Sequence, residues 1–303
     1  MPAARATDTA AQRGLQPISF ANPWIAAVDQ ARHPAPAWAV LPAGVLAAAA
    51  AGLIARLAGE ALGGAAGGGL AGLAVFTLVV FAPLVAAAVI GASLEGRRLL
   101  PAEPQPLASL AAGAGLGGVG YGLAAAIAAA AGVVAQGTGP QGLPALGGAV
   151  AGLALVAYQA GAEELLFRGW MQPVLCARLG PLAGLALTSA IFAGLHLAGA
   201  PRSLLAVVNI TLGGLLFGLL ALRTGGLWAA IGAHVAWNWT EQYALGLDPN
   251  PGVGPTGALL DLDLSGPALW SGGADGMNGS LAATGVLALL VGGLLLARPR
   301  PTG

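Results

Sequence analysis

Apolar residues run along this chain in long stretches, and polar residues gather at the breaks between them. The stretches lie near 38–58, 69–93, 108–135, 145–168, 182–199, 203–222, 226–246 and 280–297. A helix needs roughly 20 such residues to cross a hydrocarbon core of ~30 Å. The breaks are chemical. Gly63 to Gly69 separates the first two stretches, and Glu95, Arg97, Arg98, Pro101, Pro104 and Pro106 end the second. Gly137 to Pro144 ends the third. The pattern predicts an all-α, polytopic membrane helix bundle with about eight transmembrane helices.

The first 36 residues differ from the rest. They hold Arg5, Asp8, Arg13, Asp29 and Arg32 and several prolines, and no long apolar run follows the start. No cleavable secretory signal is expected there. Residues 1–36 are expected to form a mobile cytoplasmic tail, with Phe20 to Val28 lying on the membrane surface. Residues 37–144 then supply three helices, and 145–246 a core that carries the polar groups. Residues 247–279 supply an acidic extracytoplasmic loop, and 280–303 the last helix with a short cytoplasmic tail. Arginine placement sets this orientation, because positive charge favours the cytoplasmic side. With both termini inside, Arg5, Arg13, Arg32, Arg97, Arg98, Arg178, Arg223, Arg298 and Arg300 face the cytoplasm. Arg56 and Arg202 fall outside, as does the loop with Asp248, Asp261, Asp263 and Asp275.

Composition agrees. The chain is 57% hydrophobic and 8% charged, with mean hydropathy +0.80. Soluble domains carry about 25% charged residues. Disorder, basic nucleic-acid binding and most soluble enzymes are excluded, and the lipid bilayer is the first partner. The net charge of zero gives no affinity for nucleic acid. Arginine supplies every basic side chain and lysine none, which fits a GC-rich bacterial genome and a bacterial cell membrane. The single cysteine, Cys176, excludes an internal disulfide. Gly113/Gly117, Gly118/Gly122 and Gly214/Gly218 are small-xxx-small pairs. They favour close packing inside the bundle over a homodimer seam, and a homo-oligomer has no other support.

An ionisable side chain inside a bilayer costs at least ~2.5–3.5 kcal/mol on insertion scales. Such groups concentrate in three places: Glu163, Glu164 and Arg168; His196; and His234 with Asn238. Glu164 and Arg168 stand four apart and share a helix face, so they can pair. Glu163 is rotated by about 100° and is the freer acid. Two acids with one base leave a carboxylate that is expensive without a use, and a general base is such a use. His234 and Asn238 also stand four apart, one turn from each other. Residues 145–178 as one straight helix would run ~50 Å, too long for the core. Gly169 and Pro173 offer a break, with 170–180 lying along the cytoplasmic interface.

These residues carry a resemblance. The ordered set Glu-Glu-x-x-x-Arg, Phe-x-x-x-His and His-x-x-x-Asn, with Thr224-Gly225-Gly226-Leu227-Trp228 before the last motif, resembles the CPBP family. That family is the CAAX protease and bacteriocin-processing group, also called Abi or type II CAAX prenyl endopeptidases. The likeness covers about 145–246. It implies an intramembrane endopeptidase acting on a membrane-associated peptide or protein. Glu163 and His196 would activate water, His234 and Asn238 would hold the site and stabilise the oxyanion, and Glu164 and Arg168 would support them.

The cofactor stays open at this point. Glu163, His196 and His234 also make a catalytic zinc set, but the chain lacks His-Glu-x-x-His, and the reading favours a metal-independent mechanism by a narrow margin. A non-proteolytic bacteriocin-immunity or membrane regulatory role in the same family is the alternative. A proton-coupled transporter would require inverted repeats, and none stands out. Among other residues, Asn209 serves either cavity lining or packing, and Cys176 is expected to be inert. Trp24, Trp38, Trp170 and Trp228 are expected as interfacial anchors, and Trp237 and Trp239 as groove or lipid-facing residues.

Overall fold

The computed structural model describes residues 15–62, 69–103, 105–197, 202–247 and 256–297. Arg5, Asp8, Arg13, Pro104, Asp248, Arg298 and Arg300 lie outside the described residues, as does most of the Gly63 to Gly69 break.

The long apolar runs become helices because lipid leaves backbone groups no other partner. A short α1 (Pro23–Asp29) precedes α2 (Ala37–Leu62), α3 (Gly69–Glu95) and α4 (Pro106–Ala130). Then follow α5 (Leu146–Glu164), α6 (Gln172–Leu179), α7 (Pro181–His196), α8 (Leu204–Thr224) and α9 (Trp228–Trp239). A short α10 (Ala268–Ser271) and α11 (Leu281–Leu296) complete the helices. Among the described residues, six helical segments are long and apolar enough to cross a membrane. The expected spans at 182–199 and 226–246 are shorter: α7 has 16 residues and α9 has 12, the latter prolonged by a π-helical turn at Thr240–Leu245.

Side chains sort as a bilayer demands. Trp38, Leu46, Val119 and Leu289 point outward and are exposed. α8 is the most enclosed long helix, with Leu216 to Arg223 buried without interruption. It packs against α7, α9 and α11, while α4 lies along α9 and α3 along α5. The α4–α9 seam explains two glycines. A Cβ on Gly113 would overlap the carbonyl oxygen of Ala229, and one on Gly117 that of Ala233. Gly214 and Gly218 likewise face Ser189 and Gln172 inside the bundle. These glycines serve internal packing.

Three expectations change. Residues 15–36 are packed, not a mobile tail. Trp24, Ile25 and Val28 are buried, and the buried Asn22 amide donates to the Leu222 carbonyl at 2.8 Å. The polar run carries its own cap, since Asn22 Oδ1 accepts the Trp24 N–H. The second change lies after Glu164. The helix does not break at Gly169 and Pro173. It passes through a π-helical stretch, Leu165–Met171, into α6. Pro173 has no N–H to give, and the Gln172 N–H beside it reaches five residues back to Phe167. Trp170 and Gln172 are buried within the bundle. The Trp170 indole donates to Glu95 at 2.7 Å, and Gln172 donates to the Gly218 carbonyl at 3.0 Å.

The third change concerns the acidic segment 247–279, of which residues 247 and 256–279 are described. Leu262–Leu264 (β2) pairs antiparallel with Val134–Gln136 (β1), so the third apolar stretch ends as helix at Ala130 and continues as strand. The Asp261 carboxylate takes the Gly139 N–H. Asp275 receives the Ser203 N–H at 2.9 Å and the Arg202 guanidinium at 3.2 Å.

Candidate active site

Glu163 and Glu164 are the last residues of α5. The Arg168 guanidinium donates to Glu164 Oε1 at 2.8 Å through Nη1 and to the Gly214 carbonyl at 3.0 Å through Nη2. Both members of the pair are fully buried. Its guanidinium carbon also lies 4.6 Å from the centre of the Phe192 ring. An unpaired arginine here would be very costly, and a cation over aromatic faces recovers part of that cost.

Glu164 has a second partner. His234 Nδ1, on α9, lies 2.8 Å from Glu164 Oε1. An ionised carboxylate only accepts, so Nδ1 carries the proton and Nε2 is the ring's free nitrogen. That Nε2 stands 3.8 Å from Glu163 Oε2, which has no hydrogen-bond partner among the described residues. The imidazole stacks on Phe217 with ring centres 4.4 Å apart. Carboxylate and ring together fix its orientation. On α7, His196 Nδ1 donates to the Phe192 carbonyl at 2.8 Å. Its Nε2 is therefore also left as the acceptor.

Glu163, His196, His234 and Asn238 line one cavity of about 220 Å³. Glu164 and Arg168 stand outside that lining and hold His234 from behind. Glu163 and His196 also border a second, apolar cavity of about 160 Å³, walled by Ala48, Ala51 and Gly52 of α2 and by Val80, Phe81 and Leu84 of α3. The pair thus lies between a polar chamber and an apolar one.

Sequence reasoning missed several lining residues. Gln159, Arg202, Glu241, Gln242 and Asn278 all face the polar cavity. Glu241 could have been found, since it follows His234 and Asn238 at the seventh position, on the same helix face. Trp237 lines the cavity and meets Tyr121 edge-on at 5.1 Å. Trp239 does not; its indole donates to the Ala149 carbonyl. Asn209 borders the cavity and also bonds the Asn278 and Ser280 carbonyls and the Thr284 hydroxyl, tying α8 to the start of α11. Cys176 is buried beside the Pro181 carbonyl, away from the cavity.

The Thr224-Gly225-Gly226-Leu227-Trp228 run sets the start of α9. Gly225 ends α8 with φ +68°, a left-handed conformation that glycine adopts freely. The Glu103 carboxylate occupies the place a Cβ on Gly226 would take, so a larger residue there would push that side chain aside. Glu103 lies in the connection between α3 and α4. Burial pushes its carboxyl above the ordinary range, against the pull of the Ser109 side chain and the Trp228 backbone.

Each histidine is held through Nδ1 and presents Nε2, an arrangement that suits a metal ligand as well as a base. The donors do not converge, however. Among the described residues, no group of three His, Cys, Asp or Glu is placed to hold a metal ion.

Residues 145–240 match the family model described as type II CAAX prenyl endopeptidase Rce1-like. That stretch contains all six motif residues from Glu163 to Asn238. No curated protein and no solved structure matches the chain.

Proposed function

We propose that this chain, whose residues 145–240 belong to the CPBP/CAAX protease family, is an intramembrane endopeptidase that hydrolyses a membrane-associated peptide or protein with water activated by Glu163 and His196. The observation that carries the reading is the single cavity lined by Glu163, His196, His234 and Asn238 from α5, α7 and α9.

In this reading, the bare Glu163 carboxylate and His196 Nε2 take a proton from water as its oxygen attacks the scissile carbonyl carbon. The carbonyl oxygen gains negative charge. The Asn238 amide donates to it, and so does His234 when protonated at Nε2. The proton held at Glu163 or His196 then passes to the amine nitrogen as the carbon–nitrogen bond breaks. Glu164, shared between Arg168 and His234, keeps the imidazole oriented and stabilises its charge. No step needs a metal, and a stoichiometric zinc lost together with activity on chelation would contradict this. The apolar chamber beside Glu163 suits an apolar flank or lipid group of the substrate. Both termini face the cytoplasm of a bacterial cell in this reading.

The test compares peptide termini in membranes expressing the wild type or Glu163→Ala at equal abundance. Termini present only with the wild type support proteolysis and name the substrate. Identical termini, under conditions where the cell depends on the protein, would favour a non-proteolytic immunity or regulatory role.

A further inference from the structure

The polar cavity holds a second carboxylate that the mechanism does not use. Glu241 is only 5% exposed, and its Oε1 has no hydrogen-bond partner among the described residues. It lines the same cavity as Glu163. It lies just beyond the residues that match the family. Seven residues after His234, it sits ~10 Å further along the helix axis, past Asn238.

A structural role would call for partners that satisfy the charge. On one side the Tyr121 hydroxyl approaches. Arg202 lines the same cavity, and its guanidinium is bonded to Asp275. A buried carboxylate left this bare is expensive. Glu163 and Glu241 line the cavity with Arg202, which is bonded to Asp275, and with His196 and His234, whose Nε2 nitrogens are left as acceptors. Such a lining favours a cation.

We infer that Glu241 forms a specificity subsite that receives a lysine or arginine side chain flanking the scissile bond of the substrate. This deepens the endopeptidase reading and rests on it. The basic side chain completes the hydrogen bonding of Glu241 and sets the register of the peptide across Glu163 and Asn238. Glu241 positions the substrate and takes no part in bond cleavage.

The test uses the purified full chain in lipid vesicles and peptide pairs that differ only by lysine or norleucine at each position flanking the cleaved bond. Hydrogen bonds to charged groups contribute about 1.5–3 kcal/mol, so the lysine peptide should lead by at least about 10-fold in kcat/KM at one position. In Glu241→Gln that ratio falls toward one, and in Glu241→Asp a preference for lysine remains. A wild type without preference would overturn the proposal. So would a Glu241→Gln variant that slows both peptides equally with the ratio intact. Binding of N-acetyl-lysine methylamide, against its norleucine analogue, is measured by calorimetry on the same proteins. Lysine-selective binding that Glu241→Gln abolishes, with neither peptide cleaved, would keep the subsite and sink the endopeptidase reading. Cleavage without lysine-selective binding would do the reverse.

Discussion

Glu164 holds two partners through one oxygen, Arg168 and His234, and all three are buried. Removing one member of a buried ion pair leaves the other without compensation. Glu164→Ala or Arg168→Ala should each destabilise the protein by about 3–5 kcal/mol. The double replacement Glu164→Ala/Arg168→Ala should cost clearly less than the sum of the singles, read from unfolding in detergent. Simple additivity would show that the pair is not coupled. Asn238 is proposed to donate to the oxyanion. Asn238→Ala should lower kcat by roughly 10²–10³ with little change in KM, since an oxyanion donor acts on the transition state. A change in KM alone would assign Asn238 to binding. The six motif residues were legible because ionisable groups within apolar runs are rare and costly. Glu241 was not, because it falls where the run gives way to Thr240, Gln242 and Tyr243, and an acid there does not stand out. Only its register with His234 and Asn238 marks it.

At the level of elements, the position of α9 decides where His234 and Asn238 stand, and two contacts set it. One is backbone-to-backbone packing on α4. Gly117→Ala would drive a methyl group into the Ala233 carbonyl and should cost about 1–3 kcal/mol. Gly122→Ala meets nothing and should be neutral or stabilising by up to about 1 kcal/mol. Thermal stability in detergent separates the two, and equal shifts would contradict the seam. The other contact is Glu103 against Gly226. The folded state holds the Glu103 proton more tightly than the unfolded chain does. The stabilising contribution is thus present at low pH and declines as pH rises through the interval above the ordinary carboxylate range. Glu103→Gln should flatten that decline in a series of melting curves. Helix positions were legible from run length, but the route through Leu165–Met171 was not. Gly169 and Pro173 read locally as a stop. The π-helical stretch absorbs them because Trp170 finds Glu95 and Arg168 finds Gly214 in other helices.

For the whole molecule, hydropathy identified a membrane bundle but overstated the regularity of its spans. α7 and α9 are short, and these are the helices that carry His196, His234 and Asn238. All three line the polar cavity. The two polar ends that looked like connections prove to be part of the body. The segment 15–36 docks on α6 and the end of α8, and the segment 256–279 pairs with β1 and binds Arg202 and Ser203. Pairing between residues 72 to 200 positions apart leaves no local signature, so neither contact could be read from the pattern.

We propose that Glu163 activates water within this bundle to cut a peptide bond. The most direct test is hydrolysis of one identified substrate by purified protein in vesicles prepared in heavy-oxygen water. The wild type should place the label in the new carboxyl terminus, and Glu163→Gln, folded to the same melting temperature, should produce no labelled product. Equal labelled cleavage by Glu163→Gln would contradict the claim.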